Sequence, residues 1–369
     1  MNTTFDESSM CTPWNTIPVP NQAAAENWIK SGVDILIAYY FVPVMIMVAG
    51  TGNLAFIFMV ARLKRMHTIT NFYLVNIAFA DIILGVFAPS MFVYTFFSSP
   101  LNFDVPYPTD GVFCFIGYLC SYFGYLLSVG VMTLLSFERY LAVCKPLLHM
   151  SLQSKRRAIK MTGSVWIIAG IIGSLTALSK GKIRLFCLAW PEDEAYQNLP
   201  TRLHTCQPII EIADLFTKIV EISTLVVAMA VNSVFYAFII YALSTRSVAK
   251  SAQSEAQTQA IEIRNQVART LVINGIVFFI TQTPWRIMSL NVLFEEITGT
   301  AFLTKGQEDT VNVIGRTGLY LNSTANSFIY VFSSQFYRSG FIEAFSLFPK
   351  KKRGGNEKST SKTTAVSNI

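Results

Sequence analysis

The most informative stretch of this sequence is Ser136-Phe137-Glu138-Arg139-Tyr140, in which two charged residues follow a long apolar run. The run, residues 113–135, has about the 20 residues that a helix needs to cross the hydrocarbon core of a membrane. Glu138 and Arg139 are therefore predicted to lie where a membrane span meets water. Charged residues often anchor a span at this boundary, so these two residues alone do not indicate a function.

The composition of the whole chain also indicates a membrane protein. Of its 369 residues, 52% are hydrophobic and 14% are charged, and its mean hydropathy is +0.44. A soluble domain of this size is less apolar and carries more charge. The formal net charge is +7, but the basic residues lie beside the apolar runs and form no patch on a soluble domain. Nucleic-acid binding is therefore excluded.

Apolar runs long enough to form membrane-spanning helices recur along the chain. They lie near residues 34–61, 70–97, 113–144, 158–178, 212–243, 267–293 and 310–333. The sequence therefore predicts an all-α membrane protein, a seven-transmembrane helix bundle that occupies residues 34–333. A short amphipathic helix on the membrane surface is predicted for residues 334–348, because aromatic residues recur on one side of it. Residues 1–33 are predicted to be an extracellular segment, and residues 349–369 a disordered cytoplasmic tail.

The basic residues predict the orientation of the bundle, because Lys and Arg are concentrated in the cytoplasmic connections of membrane proteins. Here they cluster after the first span, before the fourth, between the fifth and sixth, and after the last. This places the N-terminus outside and the C-terminus in the cytoplasm, although the loop at residues 179–211 also carries several basic residues. Asn2 begins a glycosylation motif, Asn2-Thr3-Thr4, in the predicted extracellular segment.

The residues that follow Arg139 resemble a known family. Glu138, Arg139 and Tyr140 precede Leu141-Ala142-Val143-Cys144-Lys145-Pro146-Leu147, and this pattern is similar to the foot of the third helix in rhodopsin-like (class A) G-protein-coupled receptors. In that family the arginine is held at rest by its acidic neighbour and is freed on activation to meet the G protein. The resemblance implies coupling and activation roles for a larger set of residues: Glu138, Arg139, Tyr140, Pro146, Leu147, Tyr236, Phe278, Asn326 and Tyr330.

Four cysteines fall in the predicted extracellular parts, where an oxidising environment favours disulfides. The residues alone leave three pairings open for Cys11, Cys114, Cys187 and Cys206. The resemblance implies that Cys114 ties the third helix to the second extracellular loop, with Cys187 or Cys206 as its partner. Cys187 is preferred, because Cys187-Leu188-Ala189-Trp190-Pro191 is similar to that loop in several peptide receptors. Cys11 is then left to pair with Cys206.

Polar residues within the spans are costly in hydrocarbon and indicate functional sites. Asp81 lies in the middle of the second span, and Asp81, Ser128, Asn322 and Asn326 match a buried polar cluster of the family. The resemblance implies that these four residues hold an allosteric sodium ion in the resting state. The alternative is a hydrogen-bonded network without an ion. No other cofactor or metal is predicted.

The chain departs from the family pattern at three helix positions. Ala228 and Ser327 stand where the family usually has proline, so straighter fifth and seventh helices are expected. Gln282 stands where a tryptophan is usual, and a tryptophan rotamer switch cannot operate there. We expect Gln282 to pair with Asn322 or Tyr125 and to stabilise one of two packings.

The same alignment with the family places a set of inward-facing residues around an outer cavity. They are Ser121, Tyr122, Tyr125, Glu221, Gln282, Arg286, Arg316 and Tyr320. Ser121 replaces the aspartate of amine receptors, and Tyr320 replaces the retinal-binding lysine of opsins, so the cavity suits a peptide instead. Its two arginines need anions. We expect at least one of them to be left for a ligand carboxylate or carbonyl. The alternative is that Glu221 and Asp309 or loop acids satisfy both.

The sequence therefore predicts a G-protein-coupled receptor of the plasma membrane, most similar to the neuropeptide receptors, that binds an extracellular peptide and activates heterotrimeric G proteins. A receptor for a lipid or another small molecule is the first alternative. A small transporter is the second, but the inverted repeats and broken helices of that class are not seen. No nucleophile triad, metal cluster or phosphate loop indicates an enzyme. In the tail, residues 359–364 and Ser367-Asn368-Ile369 are predicted to recruit arrestin and a PDZ domain.

Overall fold

The computed structural model describes residues 11–102, 104–105, 111–246 and 255–346, which are mostly helical. The helices are α1 (Gln22–Glu26), α2 (Gly32–Leu36), α3 (Val42–Arg62), α4 (Ile69–Ile82), α5 (Ala88–Ser98), α6 (Gly111–Cys144), α7 (Pro146–Leu152), α8 (Lys155–Ala177), α9 (Ile212–Arg246), α10 (Glu255–Thr298), α11 (Lys305–Ser333) and α12 (Gln335–Phe345). Two π-helical turns, Ile37–Phe41 and Ile83–Phe87, join α2 to α3 and α4 to α5. Each of these pairs therefore forms one span.

In the described residues, six helical segments are long and apolar enough to cross a membrane. They are Gly32–Arg62, Ile69–Ser98, Gly111–Cys144, Lys155–Ala177, Ile212–Thr245 and Asn265–Thr298. The predicted seventh span forms α11, which is less apolar because it contains Arg316, Asn322 and Asn326. Both asparagines are buried, and α11 packs along α10 and α3. The architecture is the predicted seven-helix bundle, with a seventh helix that directs its polar residues inward.

The third span, α6, runs through the centre of the bundle and packs against α4, α8 and α9. Close approach to α8 depends on Gly173, because a Cβ there would lie 3.2 Å from the Phe123 backbone nitrogen. Small residues commonly allow membrane helices to approach in this way. The outer faces of the helices expose large apolar side chains such as Ile167, Val227 and Phe332. A bundle that is apolar on its outer surface is suited to lipid.

The π-helical turn at Ile83–Phe87 lies just beyond Asp81 and brings three spans together. It places Gly85 against the first and seventh spans: a Cβ on Gly85 would lie 2.6 Å from the Ser323 Cβ and 2.8 Å from the Ala49 Cβ. Glycine is required here because two Cβ atoms cannot come that close. The turn therefore fixes the packing around Asp81, and such turns are frequent at functional sites.

A three-stranded sheet lies at the end of the bundle where α6 begins. β2 (Lys182–Ala189) and β3 (Arg202–Gln207) form an antiparallel hairpin, and β1 (Thr16–Pro18) pairs in parallel with the other edge of β2. The N-terminal segment, the sheet and the connection between the second and third spans share a small apolar core of buried residues: Val19, Ala25, Leu101, Leu188 and Leu203. The N-terminal segment is thus folded onto the loop between the fourth and fifth spans.

The two disulfides join Cys11 to Cys187 and Cys114 to Cys206, each with 5.8 Å between Cα atoms. The predicted pairing of Cys114 with Cys187 and of Cys11 with Cys206 is therefore wrong. The strand register explains the difference. Cys206 lies opposite Ile183 at the base of the hairpin, beside the start of α6, whereas Cys187 lies farther along β2, opposite β1. Cys11 reaches Cys187 because β1 follows it directly in the chain.

The last described helix, α12, has one packed face and one exposed apolar face. On the packed face, Tyr337 is buried and donates its hydroxyl to the Asn71 side-chain oxygen at 3.0 Å. Its ring centre lies 6.1 Å from that of Phe56. On the other face, Ile342 and Phe345 are exposed. This division is the one that an amphipathic helix at a membrane surface requires.

The disulfide pairing can be tested directly. Non-reducing digestion and mass spectrometry are expected to recover Cys11 linked to Cys187 and Cys114 linked to Cys206. The double substitution Cys114→Ser and Cys206→Ser should destabilise the protein by about 2–5 kcal/mol, because the unfolded chain loses a closed loop. Thermal unfolding in detergent measures this effect, and Cys120→Ser, a free cysteine of α6, is the matched control. Recovery of Cys114 linked to Cys187 would contradict the structure.

Candidate functional site

The outer half of the bundle brings together Arg286 of α10, Glu221 of α9 and Tyr125 of α6. Arg286 is 7% exposed, and its guanidinium carbon lies 4.0 Å from the centre of the Tyr125 ring, which is a cation–π contact. Glu221 accepts a hydrogen bond from the Ser289 hydroxyl and acts on Arg286 through its charge. In the part of the chain that the structure describes, Arg286 forms no direct ion pair, and its Nε has no hydrogen-bond partner.

The second arginine of the predicted cavity, Arg316, is paired across the bundle with Asp34. Its Nη2 lies 2.5 Å from the Asp34 Oδ1, and its guanidinium carbon lies 5.8 Å from the centre of the Phe92 ring. The alternative that Asp309 or a loop acid pairs with an arginine is wrong for Arg316, because Asp34 begins the first span directly beside α11. Asp309 instead lies 3.7 Å from Lys305. An acid at the start of an apolar run was the signal that would have identified Asp34.

Gln282 is 0% exposed, and neither its Oε1 nor its Nε2 has a hydrogen-bond partner in the described residues. The expected pairing with Asn322 or Tyr125 is therefore wrong. The Asn322 side-chain oxygen accepts a hydrogen bond from the neighbouring Thr281 hydroxyl at 3.4 Å. Tyr125 instead lies against the Arg286 guanidinium. Buried amides are rarely left without partners, so this position needs an explanation.

The remaining predicted cavity residues have less direct roles in the observed geometry. The Ser121 hydroxyl donates to the Gly117 carbonyl oxygen of its own helix at 2.8 Å. Tyr122 stacks on Tyr118 with 6.2 Å between ring centres, and Tyr320 is half-buried on α11. The structure therefore brings some of the predicted set together around Arg286 and holds Ser121 within its own helix.

Beneath this group, a second polar cluster surrounds Asp81. The Asn326 side-chain nitrogen donates to one carboxylate oxygen of Asp81. The other carboxylate oxygen, the Ser128 hydroxyl and the Asn322 side-chain nitrogen have no partner in the described chain. All four residues are buried. The structure therefore joins Asp81 to Asn326, two of the four predicted sodium residues, and buries Ser128 and Asn322 with polar atoms that have no partner in the described chain.

At the opposite end of α6, Glu138 and Arg139 have partners that the resemblance does not name. Glu138 forms an ion pair with His149 of α7, with 2.8 Å between Oε1 and Nε2. The buried Arg139 donates a hydrogen bond from Nη2 to the Thr70 hydroxyl at the start of α4. Sequence reasoning missed Thr70 and His149, because nothing in the sequence shows that α4 and α7 meet the foot of α6.

The aromatic residues predicted for activation lie in the lower half of the bundle. The Ser136 hydroxyl of α6 donates to the Tyr236 hydroxyl of α9 at 3.0 Å. The Tyr236 ring lies against Gly275 of α10, where any side chain would overlap it. Phe278 and Tyr330 are buried in the same core. Tyr236 thus links the third, fifth and sixth spans.

The connection between the third and fourth spans presents an apolar side chain to solvent. Pro146 begins α7, where its missing N–H and fixed backbone angle favour a helix start. The next residue, Leu147, is 83% exposed. Tyr140, seven residues earlier and on α6, packs on Phe235 with 5.5 Å between ring centres. Leu147 is therefore free to contact a partner, whereas Tyr140 is part of the bundle.

A family model described as the seven-transmembrane receptor of the rhodopsin family matches residues 52–330. The chain belongs to the rhodopsin family of seven-transmembrane receptors. It is a multi-pass membrane receptor and not an enzyme, and members of this family bind ligands and signal through G proteins.

Individual relatives of this rhodopsin-family receptor are distant. The neuromedin U receptor homolog nmur-2 of Caenorhabditis elegans is 25% identical over 85% of this chain and 82% of that protein. The neuromedin-U receptor 1 of Mus musculus is 26% identical, with coverages of 86% and 74%. The substance-K receptor of Homo sapiens is 24% identical, with coverages of 83% and 71%. The chain is thus similar along most of its length to several peptide receptors.

The hydrogen bond from Arg139 to Thr70 predicts an effect on signalling without ligand. Thr70→Val keeps the shape of the side chain and removes the acceptor, so Arg139 is released from its buried position more easily. Hydrogen bonds to charged groups are worth about 1.5–3 kcal/mol, which corresponds to roughly a ten- to hundredfold shift between two states. Basal nucleotide exchange on a G protein should rise several-fold. Thr162→Val, also buried but with no hydrogen-bond partner for its hydroxyl in the described chain, should leave it unchanged.

Proposed function

We propose that this receptor recognises an extracellular peptide. Three of its relatives are named for receptors of the neuropeptides neuromedin U and substance K. The observation in the chain that carries the proposal is the buried group of Arg286, Glu221 and Tyr125, which offers charged and aromatic contacts in the outer half of the bundle. Ser121 supports the proposal as well, because no acid stands there to hold an amine.

The ligand site we propose is centred on Arg286. Its guanidinium has no direct ion pair in the described chain, whereas that of Arg316 is paired with Asp34. Arg286 is therefore the arginine that remains for a ligand oxygen, and Arg316 holds the first and seventh spans together. Fork-shaped donors of this kind suit carbonyl and carboxylate oxygens. The proposed site also includes Ser121, Tyr122, Gln282 and Tyr320. Tyr122 and Tyr320 line it with aromatic rings, and the small side chain of Ser121 leaves room for a ligand.

On the other side of the membrane, we propose that Arg139 and Leu147 engage the G protein. The buried position of Arg139 fits a resting state, and the exposed Leu147 fits an apolar pocket of the partner. Glu138, Tyr140, Pro146, Tyr236, Phe278, Asn326 and Tyr330 support these two residues in the same proposal. The disulfide-bonded sheet supports an N-terminus outside the plasma membrane, because disulfides form in oxidising compartments.

We also propose that Asp81 and Ser128 hold a sodium ion. Their free oxygens are hard ligands, and a buried carboxylate without a basic partner favours a cation. The Asn326 amide donates a hydrogen bond to the other oxygen of Asp81 but adds no positive charge, so the carboxylate still needs a cation. Such an ion stabilises the arrangement in which Asp81 is buried.

Two further parts of the proposal lie outside the described residues. These parts are the glycosylation motif at Asn2 and the tail at residues 349–369. Recruitment of arrestin by phosphorylated tail residues and of a PDZ domain by the carboxyl end stay predictions from the sequence.

Coupling is tested in two steps. Cells that express the receptor and report calcium and cyclic AMP are first screened with a peptide library to find an activating peptide, and matched substitutions are then compared with that peptide. Arg139→Ala and Leu147→Ala should each reduce stimulated nucleotide exchange at least tenfold, while surface expression stays equal to wild type. Met150→Ala removes another exposed side chain of α7 and should have no effect. Full stimulation in both Arg139→Ala and Leu147→Ala would overturn the proposed coupling surface, and activation by lipids but by no peptide would overturn the proposed ligand class.

The sodium proposal predicts a stability effect that depends on the cation. When sodium chloride replaces choline chloride at equal ionic strength, the melting temperature of the purified receptor should rise, because sodium binds only the folded state. Asp81→Asn removes the charge and should abolish the difference, and Ser128→Ala should reduce it. An equal response of wild type and Asp81→Asn would show that sodium does not bind there.

A further inference from the structure

We propose that the surface where the first span begins and the second span ends binds a membrane phospholipid. Lys30 holds the phosphate of this lipid, and an acyl chain lies in a groove between the two spans. The site goes beyond the proposed function, because its ligand is a component of the membrane and not the activating ligand. Three features of the groove support it: its shape, its aromatic lining and one oriented ammonium group.

An open groove of about 520 Å³ lies between the beginning of the first span and the end of the second. Ligand sites in proteins have volumes of about 300–1,000 Å³. The side chains that line the groove include Lys30, Ile35, Tyr39, Tyr40, Phe96 and Phe97. All of the last five except Phe96 are exposed, so the groove opens away from the interior of the bundle. It is therefore accessible to lipid and has room for part of an acyl chain.

Aromatic rings from both spans form the wall of the groove. The rings of Tyr39 and Phe97 meet edge to face with 4.5 Å between their centres, and the Phe97 ring lies 6.0 Å from that of Phe96. Tyr39 and Tyr40 belong to the π-helical turn of the first span. Tyrosine is enriched where the acyl chains of a membrane meet the head groups. These rings therefore offer an apolar surface at the depth where a phospholipid head group joins its chains.

Lys30 places an oriented positive charge at the head of the groove. Its Nζ donates hydrogen bonds to the carbonyl oxygens of Phe96 and Ser99, at the end of α5. The same atom lies 4.1 Å from the centre of the Phe96 ring. A cation is favourable at the C-terminus of a helix, so these contacts hold the ammonium in one place. An ammonium has three N–H donors, and the described chain uses two of them.

The charge of Lys30 is not neutralised within the described part of the chain. Its two hydrogen-bond acceptors are neutral carbonyls, and it forms no ion pair with a described acid, since Asp34 pairs with Arg316. Partial burial lowers the pKa of Lys30, and the charges of Asp104 and Asp34 oppose this only in part. A phosphate beside the ammonium would favour its charged form. At a membrane surface, the anion that basic residues commonly meet is a lipid head group.

A phospholipid matches both halves of the site. Its phosphate accepts the remaining N–H of Lys30 and balances the charge, and its chain covers the exposed rings of Tyr39 and Phe97. A free phosphate would pair with Lys30 but would leave the rings uncovered. A sterol would cover the rings but would bring no negative charge to Lys30. The combination of an ammonium with an apolar groove therefore favours the phospholipid.

The test measures lipid binding to the purified receptor by native mass spectrometry, without an activating ligand. The two lipids are phosphatidylglycerol and a diacylglycerol with the same chains. Phosphatidylglycerol should bind about tenfold more tightly, because only it forms a charge-assisted contact. Lys30→Gln should weaken its binding about tenfold and leave that of the diacylglycerol unchanged, and Lys30→Arg should retain it. Lys182→Gln removes an exposed lysine of β2 and is the matched control.

A second variant tests the groove while Lys30 stays in place. Ile35→Trp adds a large ring to an exposed position of the groove wall. The ring should fill the space for the acyl chain, so both lipids should bind about tenfold more weakly. This variant decides the question if Lys30→Gln destabilises the receptor by removing the contacts at the end of α5.

Four results would overturn the proposal. Equal binding of phosphatidylglycerol and diacylglycerol would show an apolar surface without a phosphate site. Unchanged binding of phosphatidylglycerol in both Lys30→Gln and Ile35→Trp would show that the lipid lies elsewhere. Tighter binding of cholesterol that is insensitive to Lys30→Gln would show a sterol groove, and binding of inorganic phosphate as tight as that of the lipid would show a simple anion site. None of these results depends on a peptide, so the lipid site and the proposed function fail separately.

Discussion

The constraint on which the rest of this structure depends is that a polar group inside a membrane bundle has to be satisfied by the protein itself, because lipid offers no hydrogen bonds. Asp34 meets it through Arg316, which joins the first span to the seventh. Asp81 meets it in part through Asn326, which joins the second span to the seventh and satisfies one of the two carboxylate oxygens. The seventh helix is the least apolar of the spans because it supplies these partners. The polar residues of the seventh helix therefore contribute to the packing of the bundle through their contacts with the first and second spans.

The same constraint marks where the receptor acts. Where the chain leaves buried polar atoms without partners, as at Gln282 and Ser128, something other than the described chain has to satisfy them. We assign the outer group to a ligand and the inner group to an ion. The outer group includes Tyr125 and the inner group includes Ser128, and both of these residues lie on α6, whose C-terminal end holds Arg139 against Thr70. A change at either group can therefore reach the coupling residues through one continuous helix.

The sequence predicted the spans, the short amphipathic helix α12 and the burial of Asp81 and Asn326, because these follow from apolar periodicity and from the cost of polarity in lipid. It did not predict which groups meet. The disulfide partners depend on the register of a hairpin that is distant from Cys11 in the sequence. The partner of Arg316 is Asp34, near the other end of the chain. Gln282 was expected to pair with Asn322 or Tyr125. Only the packing of α10 against α11 shows that the Thr281 hydroxyl donates to the Asn322 side-chain oxygen instead. Contacts between distant segments are the information that local pattern lacks.

Reciprocal charge exchange between Asp34 and Arg316, which are both half-buried, tests most directly whether paired charges hold the bundle together. Asp34→Arg and Arg316→Asp each leave two like charges facing one another, so each single variant should lower the melting temperature and the amount of receptor at the cell surface. The double variant restores an opposite pair and should recover most of both losses, which a double-mutant cycle in thermal unfolding quantifies. Losses that simply add in the double variant would contradict the account, because the two residues would then not depend on each other.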